Sequence, residues 1–242
     1  MTAADTVQIT VMPAPPQGTV ALERRVAIGS DDAEENAAAR VSLNSPTLDM
    51  VDDRGNQVVG LRFANVTIPR RAAVTRCYVQ FVARDGQSEV TNLIIQAQAA
   101  DNTVTFDNVL GNISDRPRTT ATASWSPPAW TQAGEAGDAQ RTSDLSAVVR
   151  EVVGRSGWAS GNALTFIITG TGHRTAYACE GKAAFPALLH VEYASVGTIV
   201  IGKPRARPKE DAPSLFVTGP AASGGPLRVE FDLVGNDPAT LQ

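Results

Sequence analysis

Five stretches of the chain alternate apolar and polar residues with a period of two, the pattern of strands buried on one face. In "VVGLRF", Val59, Leu61 and Phe63 share a face. In "VTRCYVQFVA", Cys77, Val79 and Phe81 point one way and Arg76, Tyr78 and Gln80 the other. "NLIIQAQA" turns Leu93, Ile95 and Ala97 inward, and "ALTFIITG" does so with Leu164, Phe166 and Ile168. "PALLHVEY" buries Leu189, Val191 and Tyr193 and leaves His190 and Glu192 outside, where His190 is expected to be exposed. Antiparallel sheets with one polar face need this pattern. A single helix interrupts them. In "TSDLSAVVREVVGRSG", Leu145, Val148, Val149, Val152 and Val153 form one apolar stripe at helical spacing. Thr142 or Ser143 is the expected N-cap and Gly154 the left-handed stop.

Composition narrows the function classes. The chain has 242 residues, enough for one large β domain and a further piece. Its net charge is −4 with no basic stripe, which argues against nucleic acid as a partner. No apolar run is long enough to span a membrane. The start, "MTAADTVQITVMPAPP", has no basic region followed by an apolar core and does not read as a secretion signal. Two cysteines are too few for a disulfide framework, and two histidines exclude a three-histidine zinc site.

The ends differ in character from the middle. Residues 1–17 read as an N-terminal extension, 18–195 as a β-sandwich domain and 196–214 as a linker, which contains the Pro-rich, charged "GKPRARPKEDAPS". Residues 215–242 read as the opening strands of a second β domain. Such strands could also pair with the edge of a neighbouring chain.

Several segments together carry a resemblance. "GSDDAEE", "VGLRFANVTIPRRAAVTRCYVQF", "SWSPPAWTQAGEAGDAQRTSDLSAVVREVVGRSGWASGNALTFIITGTG" and "EG…PALLHVEY" are similar to the DNRLRE-type, carbohydrate-binding-module-like jelly-roll domains of bacteria, over roughly residues 20–194. The segment after the linker resembles the first strands of immunoglobulin-like C-terminal segments. The resemblance implies an all-β antiparallel jelly-roll sandwich with one short helix, non-catalytic and attached to a larger secreted or surface protein. It departs from the family pattern at two positions, where a small residue is expected in place of Cys77 and an aromatic in place of Cys179. The paired replacement suggests a Cys77–Cys179 disulfide, with two separate buried thiols as the alternative. Closing a loop of about 100 residues in this way contributes on the order of 4–5 kcal/mol in the chain-entropy model.

Candidate chemistry is sparse. "GTGHRTAYACEG" holds His173, Arg174, Cys179 and Glu180 but no nucleophile beside a histidine oriented by a carboxylate. His173 is expected in a solvated turn, and Arg174 with Glu180 as an ion pair across a hairpin. The acidic run "GSDDAEENAAAR" offers oxygens for a hard cation. The resemblance implies structural calcium there, with Asp31, Asp32 and Glu34 as ligands; a solvated acidic face is the other reading. Sugars stack on aromatic rings, so Trp130, in a surface-like loop, and Tyr78, flanked by Arg76 and Gln80, are the candidate ligand-binding residues. Trp125 and Trp158 read as core. The resulting expectation is a non-catalytic extracellular or cell-surface module that binds a polysaccharide or cell-surface glycan, or is adhesive. A structural subunit contacting neighbouring chains through its C-terminal strands is the second reading and a hydrolase the third, with no carboxylate pair singled out.

Overall fold

The structure, a computed structural model, describes residues 18–182 and 185–194, together with the strands Ile9–Met12, Val200–Ile201 and Leu215–Thr218. In chain order the strands are β1 (Ile9–Met12), β2 (Thr19–Arg25), β3 (Asp32–Asn36), β4 (Val41–Ser42), β5 (Thr47–Met50), β6 (Gln57–Phe63) and β7 (Val74–Gln80). They continue as β8 (Asn92–Ala97), β9 (Ala123–Trp125), β10 (Leu164–Thr171), β11 (Arg174–Tyr177), β12 (Leu188–Ala194), β13 (Val200–Ile201) and β14 (Leu215–Thr218). The helix α1 covers Ser146–Val153. The fold is all-β and sandwich-like, as the alternating pattern predicts.

The chain divides into two compact units. One is Gly18–Ser195; the other combines Met1–Gln17 with Val196–Gln242. In the second unit β14 lies between β1, parallel to it, and β13, antiparallel to it. One edge of Leu215–Thr218 is paired along its length by β1 and the other by β13 at Val217 and Thr218. The rest of the expected extension, linker and immunoglobulin-like segment lies outside the described residues.

In the larger unit a six-stranded antiparallel sheet has the order β4-β3-β6-β10-β8-β9. Facing it, β2-β12-β7 form a three-stranded sheet and β11-β5 a two-stranded one. Backbone bonds join these last two. Residues 74–84 run on as one line: Tyr177 N–H donates to the Val82 carbonyl and Arg84 N–H to the Thr175 carbonyl. The other edge of that line is closed by residues 135–145, through Ala83 N–H to Glu135, Phe81 N–H to Gln140, Thr142 N–H to Val79 and Leu145 N–H to Cys77. Even-numbered residues bond one neighbour and odd-numbered residues the other, so the odd side chains Cys77, Val79 and Phe81 all turn inward and are buried.

The main core fills the space between the layers. Phe81 stacks on Trp125 at 5.7 Å, and Phe63 meets Phe166 edge-on at 6.1 Å. A second, smaller core lies on the outer side of the six-stranded sheet, where Ile167 and Ala33 are covered by Phe106 and Ile113. This explains why β10 is buried on both faces, which simple alternation does not predict. Gly60 is what lets the covering loop approach, because a Cβ there would collide with the Phe106 ring. The loop is held by Arg116, whose guanidinium lies 4.3 Å over that ring and donates to the carbonyls of Val104, Thr105 and Asn112.

The helix buries Val148, Val149, Val152 and Val153, as its stripe predicts. Its ends differ from expectation. The Thr142 hydroxyl accepts from Val79 N–H on the strand instead of capping the helix, and the first turn is held by Asp144, which accepts from the Ser146 N–H and hydroxyl. Gly154 is right-handed, at φ −74°, so the chain continues its turn and seats Trp158 with its indole N–H on the Ile68 carbonyl. Replacing Gly60 with Ala should destabilise the protein by about 1–3 kcal/mol through overpacking against Phe106. Urea denaturation would measure it, and an unchanged midpoint would show that the ring yields without cost.

Candidate functional site

The outward side chains of the three-stranded sheet form an ordered row. Register places Glu23 opposite His190 and His190 opposite Tyr78, and the backbone bridge between Gln80 and Arg141 sets Arg141 on the far side of β7. The His190 ring stacks on Tyr78 at 4.6 Å, and the Arg141 guanidinium lies 4.6 Å from the same ring. Arg76 adds a third cationic contact at 5.1 Å. Carboxylates hold this row at both ends. His190 meets Glu23 at 3.2 Å and Glu192 at 3.1 Å, and Arg141 pairs with Asp138 at 2.8 Å. Gln80 accepts from Arg141 Nε and donates to the Gly137 carbonyl. A cavity of about 270 Å³ adjoins, lined by Thr131, Glu135, Gly137 and Asp138 among others.

Arg76, Tyr78 and Gln80 thus share one outward face. His190 and Arg141 reach Tyr78 from opposite sides, so the ring offers its edge and hydroxyl rather than a bare face. His190 is not simply exposed: its side chain keeps 13% of its accessible surface. Trp130 is a correction. It is 1% exposed, its indole N–H donates to the Ala139 carbonyl, and its backbone pairs with Gln87, so it seals the core instead of forming a platform. Arg62, Gln96 and Gln98 belong to the six-stranded sheet and are engaged there, with Asp31, the Thr119 carbonyl and Arg116 respectively.

The "GTGHRTAYACEG" stretch is not the hairpin ion pair that its sequence suggests. Arg174 is 1% exposed and donates to the carbonyls of Glu89, Pro127, Pro128 and His173 and to the Thr91 hydroxyl. Glu180 lies elsewhere, against Gly29. His173 lies in the turn between β10 and β11 with 35% of its side-chain surface exposed, and it also joins a polar network. Its Nε2 is 3.2 Å from Asp49 Oδ1 and 3.0 Å from Thr175 Oγ1, and its Nδ1 is 3.2 Å from Gln87 Nε2. The Thr175 hydroxyl also donates to Asp49 at 2.7 Å. A nucleophile relay needs the hydroxyl and the acid on opposite ring nitrogens. Here both lie on Nε2 and Thr175 is buried, so this set lacks the order of a relay.

The expected disulfide does not form; Cys77 and Cys179 are both free. Each is fixed to a different sheet. Cys77 sits mid-strand on β7 beneath the helix, with its N–H on the Asp144 carboxylate. Cys179 follows β11, half-buried, and its N–H donates to Asp32 of the six-stranded sheet at 2.8 Å. Burial pushes the Cys77 thiol well above its ordinary pKa.

The expected calcium ligands do not act as one group. Asp31 pairs with Arg62 at 2.6 Å. Glu34 accepts from the Asp49 N–H and the Gln57 amide. No cluster of three or more His, Cys, Asp or Glu side chains able to hold a metal occurs among the described residues. Among the described residues, Asp32 carries the one fully buried carboxylate oxygen without a hydrogen-bond partner. It is 3% exposed, and its Oδ1 is buried without a hydrogen-bond partner. The acidic run is also no solvated face, since Asp31, Asp32, Glu34 and Glu35 are all buried. His190, Arg141 and Glu180 were not among the site residues read from sequence. Parity placed His190 outward, but no local signal gives the cross-strand register that sets it on Tyr78.

A comparison with protein-family models finds no match, and no curated protein matches the chain.

Burial is the main cause that raises the Asp32 carboxyl from 3.8 to about 7, aided by the charges of Glu180, Asp31 and Glu34 and opposed by the Cys179 N–H. Burial likewise raises Glu34 from 4.5 to about 7, against the Asp49 N–H. Between the unfolded and folded values the native state binds more protons than the unfolded chain, so stability is full below the unfolded values and is lost as pH rises through about 7. In chelator-containing buffer, Tm should fall from about pH 5 to about pH 8, and Asp32→Asn should flatten the fall. A Tm that rises over this range in calorimetry would contradict the assignment.

Proposed function

We propose that residues 18–195 form a non-catalytic glycan-binding or adhesive module that works outside the cell or at its surface as part of a larger protein. The observation that carries this reading is the outward face around Tyr78. Planar hydrogen-bonding groups from Arg76, Gln80 and Arg141 surround an aromatic edge and are held in place by Glu192, Asp138 and Gly137. Sugar hydroxyls are recognised by such groups: the guanidiniums donate, and the Gln80 amide both donates and accepts. The resemblance of residues 20–194 to DNRLRE-type jelly-roll domains supports the same reading. Since the faces of Tyr78 are covered, a sugar would meet its hydroxyl and edge, and bonds to Gln80 and the arginines would set orientation. Contacts of this kind give weak, reversible binding.

A glycan array followed by affinity electrophoresis on the positive polysaccharides tests this. Tyr78→Ala and Arg141→Ala should each weaken binding about tenfold, or ~1.4 kcal/mol, with Tm little changed for Arg141→Ala. An array with no positive glycan, or variants that bind like the parent, would sink the reading.

A further inference from the structure

We propose that Thr175 and Gln87 react with each other to form an ester cross-link within the chain, with release of ammonia. Three side chains that the outward face around Tyr78 does not use meet at the Thr175 hydroxyl. Its Oγ1 lies 2.8 Å from Gln87 Nε2, 2.7 Å from Asp49 Oδ1 and 3.0 Å from His173 Nε2. The Thr175 N–H donates to Gln87 Oε1 at 2.6 Å, which fixes which end of the carboxamide is the oxygen. Thr175 therefore holds both polar atoms of the Gln87 carboxamide, and a small turn about the last side-chain bond of Gln87 brings its Cδ to Oγ1. The backbone sets this arrangement. Asp49 stands opposite Thr175 in the register of β5 and β11, and both the N–H and the carbonyl of Gln87 are bonded to Trp130 at 2.8 Å. Groups held together in this way react as if at very high concentration.

Each part of the reaction has a group in place. A threonine hydroxyl is a weak nucleophile until a base takes its proton, and Asp49 already accepts that proton. The Thr175 N–H polarises the carbonyl that is attacked and stabilises the oxyanion that follows. His173 Nδ1 lies 3.2 Å from Gln87 Nε2, the leaving nitrogen. As the Oγ1–Cδ bond forms, the hydroxyl proton passes to Asp49. As the Cδ–Nε2 bond breaks, His173 in its imidazolium form gives its Nδ1 proton to the nitrogen, and ammonia departs. One carboxamide and one hydroxyl become one ester and one ammonia, nothing is oxidised or reduced, and the summed charge of Asp49 and His173 is unchanged. The order that denies this set a hydrolase-like relay suits it to this step, because base and acid sit on different reacting atoms. Thr175 is 5% exposed, so its partner has to come from within the chain, and the ester is then shielded from water. The link spans 88 residues and ties the loop of Gln87 to β11. It does not depend on the glycan reading.

The test is the intact mass of the full purified chain under denaturing conditions. The parent should be lighter than its sequence by one ammonia, about 17 Da, and proteolysis should yield one linked peptide pair containing Gln87 and Thr175. Hydroxylamine, which cleaves esters and spares amides, should separate the pair. Thr175→Val and Gln87→Glu keep the shapes and remove the nucleophile and the reactive amide, so both should show their full sequence mass. Asp49→Asn should form the link about a hundredfold more slowly when its mass is followed after purification. A parent chain at full mass after prolonged incubation, a loss of ammonia that survives Thr175→Val, or an Asp49→Asn chain isolated fully linked would each overturn the proposal.

Discussion

The buried guanidinium of Arg174 is the contact on which the geometry of one end of the larger unit depends. A charge with 1% exposure is tolerable only when nearly all of its donors are used. Here the acceptors are backbone carbonyls and a hydroxyl, while the nearest carboxylate oxygen, on Glu89, is 3.9 Å away. The charge is therefore spread over peptide dipoles from three loops, those around Glu89, Pro127 and His173. Fixing these loops also fixes what they carry. Gln87 and Trp130 pair through their backbones, Trp130 closes the core, and Gln87 holds Thr175 and His173. The residues of this network thus take their places as the consequence of one buried cation.

The line from Val74 to Arg84 fixes the layer in which β11 and β12 lie in the same way. Because β12 and β11 use its even-numbered residues and residues 135–145 its odd-numbered ones, its parity is locked from both sides. A slip of one residue would put Tyr78 in the core and Phe81 in water. The same lock places Arg76, Tyr78 and Gln80 outward at fixed spacing, and brings Arg141 to the ring through the segment that closes the edge. The candidate binding face is in this sense a by-product of edge protection: the residues that cover β7 also supply part of the site.

What was legible in the sequence was parity. Val59, Leu61, Phe63, Cys77, Val79, Phe81, Leu93, Ile95, Leu189 and Val191 are buried as alternation predicts, because a period of two is a local property of the strand. The valine stripe of the helix was readable for the same reason. The partners of charged residues were not. Arg174 met Glu89 and two prolines rather than Glu180, and Asp31 met Arg62, because these contacts join segments far apart in the chain. Trp130 misled for a related reason. Prolines and glycines around it signal a loop, and the loop is there, but its path folds the indole back onto the Ala139 carbonyl. Burial on both faces of β10 was hidden too, since it depends on a loop from elsewhere covering the sheet.

Buried charge in this molecule falls into two kinds. Arg116 and Arg174 are surrounded by acceptors and need nothing from solvent. Burial holds back the charged forms of Asp32 and Glu34, aided at Asp32 by the charges of Glu180, Asp31 and Glu34 and at Glu34 by that of Asp49. The first kind gives rigidity that ionic conditions hardly touch. The second makes this part of the six-stranded sheet respond to pH, because its carboxyls hold their protons up to about 7. The two arginines come with loops wrapped around them, while Asp32 keeps an unfilled hydrogen-bond position. The outward face around Tyr78 belongs to the sheet of β7 and β12, and Asp32 to the six-stranded sheet, so a change of charge at Asp32 leaves the bonds that hold Arg76, Gln80 and Arg141 in place.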